Sequence, residues 1–414
     1  MRVPRNTTPV SWSAGQYSRS LAIPGFRALW SANFTWNVAR WMEQLAIGWI
    51  SYEITHSPFL VALLGFYRSL PLFIFGIFGG ILGDRFDRQK IVLLLGVVNV
   101  GCMTVVAFLS YSGSLDYVTL VVAEVIMGVS MAIDWPSRRA LTLDIVGRSL
   151  LANATALDSA GMNASRIVGP LISGAIIALL SPTSSLVLMA VTYALSAFIV
   201  LKIPTFPPSK LRPALSGVWR SVADGFGYVL RDQAVVGVLA ITVAMNLLMY
   251  PYLQLMPVFA VDILRSGSIG LGVLSAADGL GSLIGTIYLA GAASHGRHGL
   301  IFWLGSAIGS LSIVAFALSQ TFFVACALLF VGGIGRAGFS VLQSTIILRN
   351  TSDEMRSRTL GVLTLAIGVG PFGSIEIGAL ASLTNTPFAV AANAALCVLV
   401  VLGVTARLRG LRDA

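Results

Sequence analysis

Nine ionisable side chains sit inside otherwise apolar stretches: Arg40, Glu43, Arg68, Glu124, Asp158, Arg166, Asp278, Arg336 and Glu376. In hydrocarbon such a charge costs from about 2.5 kcal/mol upward, so each is expected to face a cavity or a partner. Arg40 and Glu43, three apart, are neighbours on a helix surface. They are either a local ion pair tying that helix into its bundle or a cavity group where a ligand and a proton compete. Arg40, Arg68, Arg166 and Arg336 together would attract an anion, a phenolate or a carboxylate. Arg336 follows Gly332-Gly333-Ile334-Gly335, so satisfying nearby carbonyls is its alternative. Glu43, Asp278 and Glu376 are the acids placed to take up and release protons. Trp36, Trp41, Tyr67, Tyr250 and Tyr252 could offer flat surfaces to an aromatic ligand, although packing and interfacial anchoring are the commoner uses of such rings.

The elements that must position these residues follow from hydropathy. Of the 414 residues 56% are hydrophobic and 11% charged, and the mean hydropathy is +0.85. A membrane-crossing helix needs about 20 apolar residues. Twelve such spans can be drawn, at roughly 28–52, 59–83, 91–111, 117–137, 152–180, 184–203, 234–262, 270–293, 299–319, 321–348, 359–384 and 387–406. The ten-residue alternation of a β-barrel is absent. The expected fold is an all-α membrane protein, its twelve helices in two six-helix bundles.

The cations set its orientation. Of 27 lysines and arginines, 22 fall in segments on one side of the spans, and only Arg265 lies in a loop on the other. Positive residues resist translocation, so that side is cytoplasmic and both termini are there. The net charge of +10 is therefore spent on topology and on attraction to anionic lipid, not on nucleic acid. Residues 1–27 hold no apolar stretch suited to a signal-peptide core and read as a cytoplasmic tail. Residues 407–414 read as a second one. Cys102, Cys326 and Cys397 all fall within spans, against a disulfide framework or a metal site.

Between the bundles, expected at 28–203 and 234–406, lies a linker at 204–233. Its prolines 204, 207, 208 and 213 exclude helix at the start. Leu215, Val218, Trp219, Val222, Phe226, Val229 and Leu230 then recur at helical spacing, as in an amphipathic helix on the membrane surface. The halves look related: Gly169-Pro170 in the fifth span is matched by Gly370-Pro371 in the eleventh, 201 residues later, each after a basic inner loop. Pro251 and Pro257 predict a bent seventh span.

The strongest local motif is Gly79-Gly80-Ile81-Leu82-Gly83-Asp84-Arg85-Phe86-Asp87-Arg88-Gln89-Lys90, with acid and bases packed into a short turn between two apolar helices. Gly80-x-Leu82-x-Asp84-Arg85-x-x-Arg88 resembles the signature loop of the major facilitator superfamily of secondary transporters, with Asp87 where a glycine is usual. The resemblance implies that Asp84, with Gly80, Arg85 and Arg88, forms a gate in which the acid sits near the start of the eleventh helix and favours an outward-open arrangement. A helix N-terminus favours a carboxylate. Ser165-Arg166-Ile167-Val168-Gly169-Pro170-Leu171-Ile172-Ser173-Gly174 is similar to the glycine-proline motif of that family's exporters. Where many proton-coupled members carry an arginine in the fourth span, this chain has Glu124. The stretch Trp49-Ile50-Ser51-Tyr52-Glu53-Ile54-Thr55-His56-Ser57-Pro58, with Asn153-Ala154 and Arg166, looks like the bacterial branch of enterobactin-type siderophore exporters and macrolide efflux proteins.

The resemblance implies a monomeric secondary transporter of the bacterial inner membrane. It would export a siderophore- or drug-like molecule by alternating access, in exchange for protons. Import or facilitated passage of an organic anion or nutrient in the same fold is the alternative. A membrane enzyme is not expected: HExxH, a nucleophile elbow and a Gly-Lys-Ser phosphate loop are all missing, and His56, His295 and His298 are expected in loops. No cofactor or metal is expected, and without an ATPase module the energy comes from a gradient. The topology is checked by impermeant thiol labelling: cysteines placed at Lys90 and at Ala414 should both react from the cytosolic side alone. Reaction from opposite sides would exclude the two-bundle arrangement.

Overall fold

The computed structural model describes residues 19–206, 226–227, 229, 232–292, 297–352 and 354–412; within these, the side chains of 75–85, 290–292, 357, 409 and 412 fall outside the description. The expected linker helix over 215–231 falls almost wholly outside it. Twelve spans follow in order. The first three are Pro24–Thr55, Pro58–Arg85 and Arg88–Tyr111. The fourth and fifth are one helical stretch, Tyr117–Leu179, and Pro182–Val200 is the sixth. The seventh runs from Gln233 to Ile263. The eighth to tenth are Gly267–Ala292, His298–Leu318 and Phe322–Asn350. The eleventh is split into Arg356–Ile367 and Gly370–Leu383, and Thr386–Arg407 is the twelfth. Among the described residues nine helices are long and apolar enough to cross a membrane. One of those, Tyr117–Leu179, holds two spans; the charged first helix and the second, apolar over Pro58–Ile74, complete the set.

Local chemistry explains the helix starts. Proline stands in the first turn of the first, sixth and twelfth spans, where its missing N–H costs nothing. Asp87, Asp116, Ser181, Asp232 and Asn385 each cap a helix by accepting a backbone N–H, satisfying donors the helix leaves open. Asp87, where the family's loop usually has glycine, thus starts the third span through the N–H of Gln89 at 3.0 Å.

Three local features differ from expectation or sharpen it. Tyr117–Leu179 counts 63 residues, about 95 Å if straight, so it has to fold back. It does so at Gly147, whose φ of 68° is left-handed backbone that glycine adopts freely. The basic inner loop expected at 138–148 is therefore helical on both sides of that single residue. The seventh span is irregular, with π-type turns at Met245–Met249 and Phe259–Ile263 around a 3-10 segment at Tyr250–Leu255. Pro251 and Pro257 remove donors there, and the disturbed backbone is tolerated because it is buried in protein. Of the two Gly-Pro pairs, Gly370-Pro371 begins a new helix after a break at Gly368 and Val369. Gly169-Pro170 leaves the fifth span helical.

The halves meet through spans one and seven, two and eleven, and five and eight. Call the end where Pro24 and Arg407 lie the termini face, and the opposite end the far face. Tyr52 donates to Asp262, and Ser268 donates to the carbonyl of Gly174 at 3.1 Å, both near the far face. A β-carbon on Gly272 would lie 2.7 Å from the carbonyl of Pro170, and one on Gly378 2.7 Å from Ala62. Phe372 packs edge-on to Phe66 and Phe73 nearer the middle. These bridging contacts lie between the far face and the middle, so the far face is shut.

Glycines also set the spacing inside the second half. A β-carbon on Gly281 would meet the Phe330 carbonyl at 2.0 Å, and one on Gly333 the Asp278 carbonyl at 2.4 Å. Such small residues let membrane helices approach backbone to backbone. Gly281→Val should therefore lower the melting temperature of the detergent-purified protein by several degrees. Gly361→Ala, where the added methyl meets nothing within 4 Å, should leave it unchanged or raise it, in keeping with the about 0.5–1 kcal/mol by which alanine outdoes glycine in a helix.

Candidate functional site

The intramembrane charges sort into separate clusters. In the first half Arg68, from the second span, reaches Glu43 of the first at 3.5 Å and Glu124 of the fourth at 3.9 Å. Tyr193 of the sixth span donates to the other oxygen of Glu43 at 2.5 Å. The local Arg40–Glu43 pair is not formed. Arg40 lies instead over the rings of Trp36 and Trp41, 5.9 Å from each, while Glu43, buried, turns to the crossing helix. Helical adjacency offered a partner, and a neighbouring helix offered a closer one. Glu124 thus has its arginine after all, supplied by the second span rather than the fourth.

The second cluster joins the halves. Asp278, in the eighth span, receives Arg166 from the fifth span on one carboxylate oxygen. Its other oxygen receives Arg336 from the tenth span and the hydroxyl of Tyr252, the latter at 3.0 Å. Arg336 and Asp278 are each 2% exposed. The local sequence makes this possible. Gly332 leaves room for the guanidinium, since a β-carbon there would lie 3.1 Å from its Nη1. Arg336 also lies 5.6 Å over the Tyr252 ring, and Arg166 5.3 Å over that of Trp41. Of its two sequence readings, Arg336 follows neither neutral carbonyls nor an open anion site: it is sealed against an acid.

Pro170 frees the Arg166 carbonyl one turn earlier, because it has no N–H to give. Gly279 meets that carbonyl, 3.3 Å from where a β-carbon would stand. Gly169 lets the fifth span touch the first, at Trp41 and the Val38 carbonyl. The Gly-Pro pair therefore serves here as a close-packing joint that sets Arg166 beside Asp278. The cleft between the halves at this point is lined by Trp41, Gln44, Arg166, Pro257 and Asp278 and holds about 30 Å³, room for one or two waters.

The other expected site residues are dispersed. Tyr250 is half-buried against Phe339 at 6.0 Å. Tyr67 stacks edge-on with its neighbour Phe66. Glu376 accepts from Asn393 at 2.5 Å within the second half. Of the gate, Arg88 pairs with Asp144 at 2.5 Å, while Gly80, Asp84 and Arg85 lie where side chains are outside the description. His298 is not in a loop: it opens the ninth span, buried, with Nδ1 2.6 Å from Arg349. His295 lies outside the described residues. Among the described residues no group of three metal-ligating side chains forms.

Near the termini face is a third cluster that the sequence reading passed over. Arg138 is buried, donates from Nε to Asp134 at 2.8 Å and from Nη1 to Asn33 at 3.0 Å, and lies 5.1 Å over Trp36. Asn33 donates in turn to both oxygens of Asp158, at 3.1 and 3.2 Å. The signal was present: Asp134 and Arg138 are four apart, the spacing of a helical ion pair.

The profile described as "transmembrane secretion effector" matches residues 17–414. The chain belongs to that family, within the major facilitator superfamily. The enterobactin exporter of Shigella flexneri is 26% identical over 384 residues, covering 91% of this chain and 90% of that one. The staphyloferrin A transporter of Staphylococcus aureus is 19% identical over 350 residues, covering 83% and 86%. Among solved structures, a POT family transporter in complex with 5-aminolevulinic acid has a TM-score of 0.78 at 10% identity, covering 94% of this chain and 96% of that one, and supports the fold alone. The chain is a multi-pass membrane transporter of the major facilitator type and not an enzyme.

Removing the acid from the central cluster should destabilise the family's fold in this chain, because a lone buried charge costs about 3–5 kcal/mol. Asp278→Ala should lower the detergent melting temperature well below the wild type. Asp278→Ala combined with Arg336→Met should recover most of that loss.

Proposed function

We propose that the chain is a secondary active exporter of a small organic molecule, siderophore- or drug-like. It works by alternating access as a proton antiporter of a bacterial inner membrane, with both termini in the cytosol. The observation that carries this reading is the Arg166–Asp278 pair, which ties one half to the other at the centre of the molecule. A proton on Asp278 removes the charge that holds Arg166. A substrate presenting hydroxyl, amide or ammonium donors takes the same oxygens. Proton and substrate thus compete for one carboxylate, and such negative coupling is what antiport requires. Glu43, enclosed with Arg68 and Tyr193, and Glu376, held by Asn393, are secondary to Asp278 in this role.

With the far face shut, the state described here takes substrate from the termini face, the cytosolic side on the charge bias. The halves, 28–203 and 234–406, joined through 204–233, then rock against each other. Arg40, Arg68, Trp36, Tyr67 and Tyr250 shape the path beside Arg166, and Arg336 stays sealed behind Asp278. The turn at Gly80, Asp84, Arg85 and Arg88 steadies the opposite, outward-open state, and Arg88–Asp144 is its visible part in this one. The names of the enterobactin exporter and the staphyloferrin A transporter support a siderophore-like cargo, and we take the working unit to be a monomer.

Inside-out vesicles with an acidic lumen should accumulate tritiated enterobactin or erythromycin, and collapse of the proton gradient should abolish the accumulation. Asp278→Asn should cut both gradient-driven accumulation and substrate exchange at least tenfold, because proton and substrate share that carboxylate. Uptake that is unchanged after the gradient is collapsed would refute proton coupling.

A further inference from the structure

The central cleft has room for little more than a water, yet a cavity of about 480 Å³ opens toward the termini face between the first, fourth and fifth spans. That is within the range of small-molecule sites, about 300–1,000 Å³. Its lining includes Trp36, Asn37, Trp135, Arg138, Arg139 and Asp158, all from the first half. The two arginines differ in kind. Arg138 is consumed by Asp134 and Asn33 and serves to hold Trp36. Arg139 is exposed, lies 4.5 Å over the ring of Trp135, and forms no ion pair among the described residues. A guanidinium lying over an indole still has N–H groups to offer a carboxylate. Trp135 itself is 40% exposed. Asn37 spends one N–H on the Asn33 carbonyl at 2.8 Å, which leaves its second N–H as a donor and its oxygen as an acceptor.

Resting on the export reading above, we infer that this cavity is the loading site of the carrier and takes a planar aromatic carboxylate, its ring against Trp135 and its anion on Arg139. The site lies beyond the central cluster toward the termini face and is complete within the first half. It is therefore formed while the halves are apart at that face, before the central lock is released. Asp158, held by Asn33 on the wall, keeps the cavity from carrying a large net positive charge. This tells against any small inorganic anion as the preferred occupant and favours one whose ring supplies part of the binding.

Tritiated 2-naphthoate is the probe, bound by equilibrium dialysis to the purified full chain in detergent and in nanodiscs. Saturable binding is expected, at least tenfold weaker in Trp135→Leu and in Arg139→Gln, the latter at an exposed position that leaves the fold intact. Cyclohexanecarboxylate, whose ring is saturated and puckered, and 1-naphthylmethylamine, which lacks the anion, should compete at least tenfold less well than unlabelled 2-naphthoate. No saturable binding, equal binding in Arg139→Gln, or equal competition by either analogue overturns the proposal. So does displacement by phosphatidylglycerol in nanodiscs, which would make Arg139 a lipid headgroup contact. Loss of vesicle transport with naphthoate binding intact would sink the export reading and spare the loading site; the converse would sink the loading site alone.

Discussion

A guanidinium sealed in protein within a membrane needs a partner, and Arg336, 2% exposed, has Asp278. That acid is shared with Arg166 from the other half. Two cations on one carboxylate make the arrangement stable only while the acid is ionised and both arginines are present. The packing around it follows from this need. Glycines at 281 and 333 bring the eighth and tenth spans to backbone contact, and Gly332 leaves room for the Arg336 guanidinium, because a side chain at any of them would push Asp278 and Arg336 apart. On the other side Gly169 and Gly279 admit the fifth span, so that Arg166 arrives from a helix belonging to the first half.

The same requirement separates this cluster from the charges of the first half. Arg68, Glu43, Glu124 and Tyr193 meet across four helices of one bundle and bind that bundle to itself. A network internal to one rigid unit does not sense how the units are placed. Asp278 does, because one of its partners is on the other unit. The distinction between a structural charge and a moving one lies in which helices contribute, and the number of charges says nothing about it.

This is also where the sequence stopped being readable. The spans, the bent seventh helix and the superfamily resemblance were legible because each depends on local composition or on a short motif. Asp87 was legible as a departure from the motif, though not as the cap it forms. Partner choice was not legible. Arg40 and Glu43 are adjacent on one helix, yet Glu43 turns to Arg68, since the crossing of the first two spans decides the contact. Arg138, one of the cations of the basic stretch after the fourth span, is buried against Asp134 and Asn33. Pairings between helices depend on their relative rotation and depth, which are properties of packing that one sequence does not state. The gate at Gly80, Asp84 and Arg85 stays a reading of the motif, as its side chains are not described.

An exchanger must not cross the membrane empty, and on the export reading this explains why the lock stands at the centre. At a face, water could replace a lost partner, and an unliganded carrier could slip past at little cost. At the middle, the cleft admits about a water or two, so neither Arg166 nor Asp278 can exchange the other for solvent. The ionised, empty carrier is then held by its own bridge. A proton frees Arg166 by neutralising the acid, and a substrate frees it by occupying the acid's oxygens; each permits the halves to move, and the two cannot act together on one carboxylate. On that reading exchange is obligatory without any further device, since the species forbidden to move is the one in which Asp278 has only arginine and tyrosine for company.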